Sequence, residues 1–198
     1  MKNVQFYLIE DDESTRRSLI NVFNTLGYLL QTFSSAEAFL ELKSIPLKSV
    51  VITDVCMQEI SGIELQDLLK KKYPQVPVII ISGECTVKES VIGMKQGAVE
   101  FLLKPFDLED LIKALESAVN YQNDSIESER QQDLKKQTLS KLANREREVA
   151  DLMVAGYKNQ AIANQLGISS DTVKQYRANV LAKLNMKDLA ELISFYKR

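Results

Sequence analysis

Histidine is absent from all 198 residues, and only two cysteines are present. Without an imidazole the chain cannot host a Ser-His-Asp triad, a histidine-built zinc site or histidine acid–base catalysis. Nor can it be a histidine kinase or a histidine phosphotransfer protein. Two cysteines make no disulfide framework and are too few for an all-cysteine zinc site, so a reducing cytoplasm is the expectation. Long apolar runs are lacking too. Val4–Ile9 ends in Glu10-Asp11-Asp12-Glu13, which no signal peptide tolerates, and nothing approaches the ~18 apolar residues of a membrane span. No membrane partner is expected. Glycine and proline are both missing between Pro105 and Gly156, so no breaker interrupts a helix there.

What is present suits a folded chain: 45% of residues are hydrophobic and 26% charged, with a net charge of −2. That near-neutral total hides an asymmetry. Residues 1–120 carry 12 Lys/Arg against 17 Asp/Glu, and residues 138–198 carry 10 against 6. A basic end suggests a nucleic-acid contact, although two ordinary solvated surfaces also give such a difference.

Periodicity places the elements. Val4–Ile9, Tyr28–Phe33, Ser49–Thr53, Pro77–Ile81 and Val99–Leu103 read as strands. Each precedes a helical pattern, including Gly62–Tyr73, Thr86–Lys95 and a fifth helix marked by Leu108, Leu111, Ile112, Leu115 and Val119. Gly27 sits where a C-cap belongs. Five strands each followed by a helix predict an α/β fold: a five-stranded parallel sheet, flavodoxin-like, with helices on both faces. Near-continuous Val/Ile/Leu strands suit burial on both faces.

Ligands of such sheets bind outside the carboxyl ends of the strands. There the chain places Glu10-Asp11, Asp54, Ser82 and Lys104-Pro105. Any one of these is an ordinary polar strand end, but five on one rim form a constellation. Three carboxylates repel unless a cation neutralises them, and a hard, oxygen-ligated ion such as Mg2+ fits. A lysine and a hydroxyl beside them donate to phosphate oxygens. The rim therefore suits phosphoryl transfer onto a carboxylate.

Residues 1–120 resemble a response-regulator receiver domain. The resemblance rests on Leu8-Ile9-Glu10-Asp11-Asp12, Val51-Ile52-Thr53-Asp54, Ile80-Ile81-Ser82-Gly83 and Phe101-Leu102-Leu103-Lys104-Pro105-Phe106. It implies that Asp54 accepts a phosphoryl group from the phosphohistidine of a sensor histidine kinase, with Mg2+. Asp11 is implied as the direct metal ligand and Glu10 as acting mostly through water, with Asp12 competing for a place in the acidic pair. Asp54 and the backbone carbonyl of Cys56 also face the metal. Ser82 is the implied switch hydroxyl, Lys104 pairs with the phosphoryl oxygens, and Phe101 is the aromatic that follows the movement or a simple packed ring. Self-catalysed acceptance and slow loss of the group are the only chemistry implied, not an enzyme's turnover. One departure is Met57-Gln58, where the family usually has Met-Pro, which frees a φ in that loop. Cys56 and Cys85 both fall in loops at this edge, as a redox switch or by chance.

The apolar stripe of the fifth helix fades after Val119, and residues 121–138 are polar on every side. With no breaker, a helical linker is expected, a disordered one being the alternative. Residues 139–198 then read as four compact helices. Gly167-Ile168-Ser169 makes a turn between the second and third, and Ser169 can cap the third. The strings Arg145-Glu146-Arg147-Glu148-Val149, Gly156-Tyr157-Lys158-Asn159, Ile162-Ala163, Leu166-Gly167-Ile168-Ser169, Thr172-Val173-Lys174, Arg177-Ala178-Asn179-Val180 and Lys183-Leu184 resemble the LuxR-type helix-turn-helix DNA-binding domain. Ala143 stands where that family usually has a capping threonine, leaving Asn144 as an alternative cap. Tyr176 replaces a frequent histidine.

Receiver plus this output resembles the FixJ/NarL-type response regulators. The third helix is expected in the major groove of double-stranded DNA, with Lys174 and Gln175 at base edges and Thr172, Arg177 and Lys183 on phosphates. Phosphorylation is expected to shift a two-state equilibrium on the face of the fourth helix, fifth strand and fifth helix. The result is a homodimer, or else release of an output domain held against the receiver. A metal-dependent phosphohydrolase and a pure protein-interaction module are the competing readings.

Overall fold

The computed structural model describes residues 3–83 and 93–197. The chain divides into two compact units, residues 1–126 and 127–198. In the first, strands β1 (Gln5–Ile9), β2 (Leu29–Phe33), β3 (Ser49–Asp54), β4 (Val78–Ser82) and β5 (Glu100–Leu103) form a parallel sheet of order β2-β1-β3-β4-β5. Helices α1 (Glu13–Leu26), α2 (Ala36–Leu40) and α3 (Gly62–Lys72) follow the first three strands. Residues 93–96 are helical (α4), and the rest of the expected helix Thr86–Lys95 lies outside the described residues, as does Cys85.

Strand alternation explains the layering, because successive side chains point to opposite faces. Phe6, Leu8, Val50, Ile52, Ile79 and Ile81 meet Leu19 and Phe23 of α1 and Leu111 and Leu115 of α5 (Leu108–Leu139) on one face. Tyr7, Ile9, Val51, Val78 and Ile80 meet Phe39 of α2 and Leu65 and Leu69 of α3 on the other. Burial of each large apolar side chain contributes about 1.5–3 kcal/mol. Both faces being covered leaves only the strand ends for chemistry.

The local signals act as their chemistry requires. Asp12 caps α1, Ser35 caps α2 and Ser61 caps α3, each accepting from a backbone N–H of the first turn. Gly27 closes α1 in the left-handed region at φ 69°. Helix α2 ends at Leu40. Helix α5 runs unbroken for 32 residues, through residues 121–138. Gln122 within it is buried, and its amide donates to the carbonyls of Leu47 and Ser49.

In the second unit, α6 (Asn144–Val154), α7 (Asn159–Leu166), α8 (Ser170–Lys183) and α9 (Leu189–Lys197) enclose Val149, Met153, Ile162, Val173, Val180 and Leu192. Gly167 turns the chain between α7 and α8 at φ 66°, and Ser169 caps α8. Asn144 does not cap α6. Ala143 occupies the cap position in extended conformation, and the Glu146 carboxylate accepts from its N–H at 2.8 Å. A residue three positions on thus supplies half of a capping box.

Candidate functional site

Parallel pairing in register brings the ends of β1, β3, β4 and β5 to one edge. Ile9 pairs with Thr53, Asp54 with Ile81, and Ser82 with Leu103. Asp54, the last residue of β3, is buried. Its Oδ2 accepts from the Cys56 N–H at 2.7 Å, and its Oδ1 lies 2.6 Å from Lys104 Nζ. Lys104 is held by its own N–H, which donates to the Ser82 carbonyl at 2.7 Å. Its ammonium also reaches Glu10 Oε2 at 2.7 Å. One lysine therefore bridges two buried carboxylates 44 positions apart in sequence.

Electrostatics follow from that bridge. Burial pushes the Glu10 carboxyl above its usual range, outweighing the hydrogen bond and charge of Lys104 that pull it down. Burial also pulls the Lys104 ammonium down, but hydrogen bonds and charges from Asp54 and Glu10 outweigh it and leave the pKa raised. Asp12 has a separate task as the cap of α1. Its Oδ1 accepts from the Thr15 N–H and the Ser14 hydroxyl, and the backbone bond at Thr15 leads in lowering its pKa to about 2. Asp11 remains, exposed at the rim. Arg16 donates to the carbonyls of Glu10 and Asp11 and pins their backbone.

Glu10, Asp11 and Asp54 against one ammonium leave excess negative charge, and their donors are all oxygen. That chemistry fits a hard divalent cation. No group of three His, Cys, Asp or Glu side chains converges tightly enough to make a metal cage among the described residues. An ion here would keep much of its water, as Mg2+ usually does.

Ser82 is fully buried at the end of β4, and its hydroxyl finds no hydrogen-bond partner among the described residues. Phe101 sits half-buried on the edge strand β5, against the apolar layer that includes Ile80. The rim residues Glu10, Asp54, Ser82 and Lys104 are thus brought together, and Cys56 joins them through its backbone. Gly62 is a contributor the sequence pattern did not single out. A Cβ there would stand 2.1 Å from the Asp54 carbonyl oxygen, so only glycine lets α3 start against the end of β3. Glu37 adds a second unforeseen tie by accepting from the Ile60 N–H in the loop after Asp54.

In the second unit, Lys174, Gln175, Ala178 and Asn179 lie exposed on one side of α8 while Val173 and Val180 are buried on the other. Lys174 pairs with Asp171 at 2.8 Å, both highly exposed. Such a pair is worth little in water and yields readily to another anion. Arg177 lines a groove with Lys158, Asn159, Gln160 and Ser170. Lys158 holds the cap position of α7 without a side-chain cap bond, so its side chain leaves the first-turn amides of α7 unsatisfied. Lys158 was legible only as part of a motif string. The other two expected phosphate contacts are engaged internally: Thr172 Oγ1 lies 2.8 Å from the Ser169 hydroxyl, and Lys183 Nζ donates to the buried Glu146 carboxylate at 2.7 Å.

Comparisons with known proteins agree with this division. Residues 6–116 match the family model described as the response regulator receiver domain, and residues 140–196 match that of bacterial regulatory proteins, luxR family. The transcriptional regulatory protein FixJ of Azorhizobium caulinodans is 36% identical over 97% of this chain and 91% of that protein. The transcriptional regulatory protein TdiR of Thauera aromatica is 31% identical over 97% and 85%. Among solved structures, full-length FixJ from B. japonicum superposes with a TM-score of 0.62 at 33% identity, over 100% of this chain and 97% of that one. Response regulator StyR superposes with a TM-score of 0.76 at 33% identity, over 98% of each.

Proposed function

Because the chain belongs to the response regulators that join a receiver domain to a LuxR-type DNA-binding domain, we propose that Asp54 is the phosphoryl acceptor that sets its DNA binding. The observation that carries this reading is the Lys104 ammonium, held 2.6 Å from Asp54 and 2.7 Å from Glu10 beside a buried Ser82 hydroxyl that has no partner among the described residues. An Asp54 oxygen attacks phosphorus as the P–N bond to the donor imidazole breaks. That imidazole belongs to a sensor histidine kinase, since this chain has no histidine. Lys104 is placed to pair with the new phosphoryl oxygens, and the Ser82 hydroxyl can donate to them. Phe101 on β5 follows Ser82. Asp11, Glu10 through water, Asp54 and the Cys56 carbonyl would hold Mg2+, which when bound neutralises charge on the transferring group. The chain accepts and slowly loses the group without turning over a substrate.

The receiver spans 1–120, the helical linker 121–138 and the DNA-binding domain 139–198. In the output, α8 enters the major groove with Lys174 and Gln175 at base edges. Arg177 positions it on phosphate, joined by Lys158. Thr172 and Lys183 contribute more to the shape of α8 than to phosphate, given their internal partners. Phosphorylation favours a homodimer on two half-sites.

Incubation of the full chain with a small-molecule phosphodonor and Mg2+, followed by intact mass measurement, tests the acceptor. One added phosphoryl group in the wild type and none in Asp54→Asn is the expected result. Equal labelling of both would overturn the assignment.

A further inference from the structure

Three residues of α3 fall on one stripe, at positions 62, 66 and 70, because side chains four apart share a helix face. The first, Gly62, rests against the Asp54 carbonyl. The other two hold the end of α4. Gln66 Nε2 donates to the Gly93 carbonyl at 3.2 Å, and Lys70 Nζ donates to the Gln96 carbonyl at 2.8 Å. Two glycines permit this seat. A Cβ on Gly93 would stand 2.9 Å from Ile80 Cδ1 and 3.9 Å from the Phe101 ring. A Cβ on Gly97, which has φ 103°, would stand 3.1 Å from Lys70 Nζ. The segment 93–97 is thereby pressed onto Ile80 of β4, two residues before Ser82, and onto Phe101 of β5, three before Lys104.

The energetics of Gln66 are unusual. It is 2% exposed, and its Oε1 has no hydrogen-bond partner among the described residues. A buried amide with one end unsatisfied is less favourable than an apolar side chain of similar volume. Among its described contacts, Gln66 therefore contributes little net stability to the fold. What it does provide is a single directed bond between α3 and the end of α4, which can be made in one arrangement and lost in another.

We propose that Gln66 and Lys70 form a latch through which α3 holds segment 93–97 in the conformation where Lys104 bridges Glu10 and Asp54. Release of that latch accompanies phosphorylation. The acceptor then acts on the α4–β5 face by two routes: through Ser82 and Phe101, and through α3. The second route rests on the reading of Asp54 as acceptor. Gln66 and Lys70 are positioning residues in this scheme, remote from the reacting atoms.

The test uses the full chain, with Gln66→Leu and Lys70→Met as separate variants. Three quantities are read: amide hydrogen exchange at 93–97, the rate of Asp54 phosphorylation by a small-molecule donor, and thermal stability. In the wild type, exchange at 93–97 should accelerate on phosphorylation. In Gln66→Leu, exchange there should be about fivefold faster without the donor. Phosphorylation should quicken by a comparable factor, with the melting temperature unchanged or higher. Lys70→Met should move the same two readouts in the same direction, and being an exposed change it leaves folding intact. The proposal is overturned if exchange at 93–97 is the same with and without phosphorylation. It also fails if either variant alters neither exchange nor rate, or if Gln66→Leu speeds exchange throughout the sheet through general loss of stability. Failure of the wild type to take up phosphoryl at Asp54 overturns the acceptor reading instead, while the exchange comparison still decides whether the latch exists.

Discussion

Gly62 is the residue on which the acceptor geometry depends most directly without supplying any chemical group. Its missing side chain lets the first turn of α3 lie against the last carbonyl of β3, and its N–H donates to the Val55 carbonyl at 3.1 Å. Gly62→Ala places a methyl group inside contact distance of backbone, which cannot rotate away. Overpacking of that kind costs about 1–3 kcal/mol. The strain falls on Asp54 and the loop held by Cys56, so chemical denaturation should show the loss while the phosphorylation rate falls further than stability alone explains. An unchanged rate in a folded variant would mean that the acceptor loop tolerates displacement. The polar rim itself was legible from sequence, because strand ends in a parallel sheet share one edge by construction. Gly62 was not, because the clash that requires it lies between residues eight positions apart whose approach only the folded backbone reveals. Asp12 shows the converse: its sequence position made it a rival for the acidic pair, and only its bonds to Thr15 and Ser14 assign it to the helix cap.

At the scale of elements, α6 and α8 are joined by one carboxylate. Glu146 is buried, accepts from the Ala143 N–H in place of a capping side chain, and holds Lys183 at 2.7 Å. The Lys183 hydrogen bond, followed by that from Ala143, holds its carboxyl below the usual value of 4.5. A folded-state pKa below the unfolded one gives stability that is present above 4.5 and lost as the pH falls through the lower, folded value. Hydrogen-exchange protection factors in α6 and α8, corrected for the intrinsic pH dependence of amide exchange, should therefore fall on acidification below 4.5. Glu146→Gln should abolish that part of the acid response and cost about 1 kcal/mol at neutral pH, discounted because Lys183 is half exposed. An acid response that survives in Glu146→Gln would place its origin elsewhere. The helices themselves could be read from apolar spacing, Gly167 and Ser169. This link could not, since it pairs residues 37 positions apart that look from sequence like solvated surface. Lys183, expected at a phosphate, is tied to Glu146 by this link. Among the described residues, Lys174 and Lys158 carry no such tie to a buried group. Lys174→Ala should lower operator affinity by about 1–3 kcal/mol and relax base preference, while Lys158→Ala should weaken all sequences alike and reduce the salt slope by about one. Binding titrations at several salt concentrations separate the two.

For the whole molecule, the opposed charges of the two units turn into a measurable dependence on salt. Each phosphate neutralised by a basic side chain adds roughly 0.9 to the slope of log affinity against log salt. Residues 1–120, at −5, repel phosphate, and residues 138–198, at +4, attract it, so the slope is expected to come from the output domain. Two routes from phosphorylation to DNA binding then predict different slopes. If phosphoryl uptake frees an output domain that still acts singly, affinity rises while the slope stays that of one domain. If it drives a homodimer onto two half-sites, twice as many phosphates are contacted and the slope doubles. The dimer route is the proposed one. The expected outcome is a monomer in sedimentation without phosphodonor, a dimer with it, and a doubled slope for the dimer on a two-half-site operator. Asp54→Asn should stay monomeric and keep the single slope under both conditions. A phosphorylated protein that binds more tightly yet sediments as a monomer with the single slope would refute dimerisation and leave release of the output domain as the mechanism.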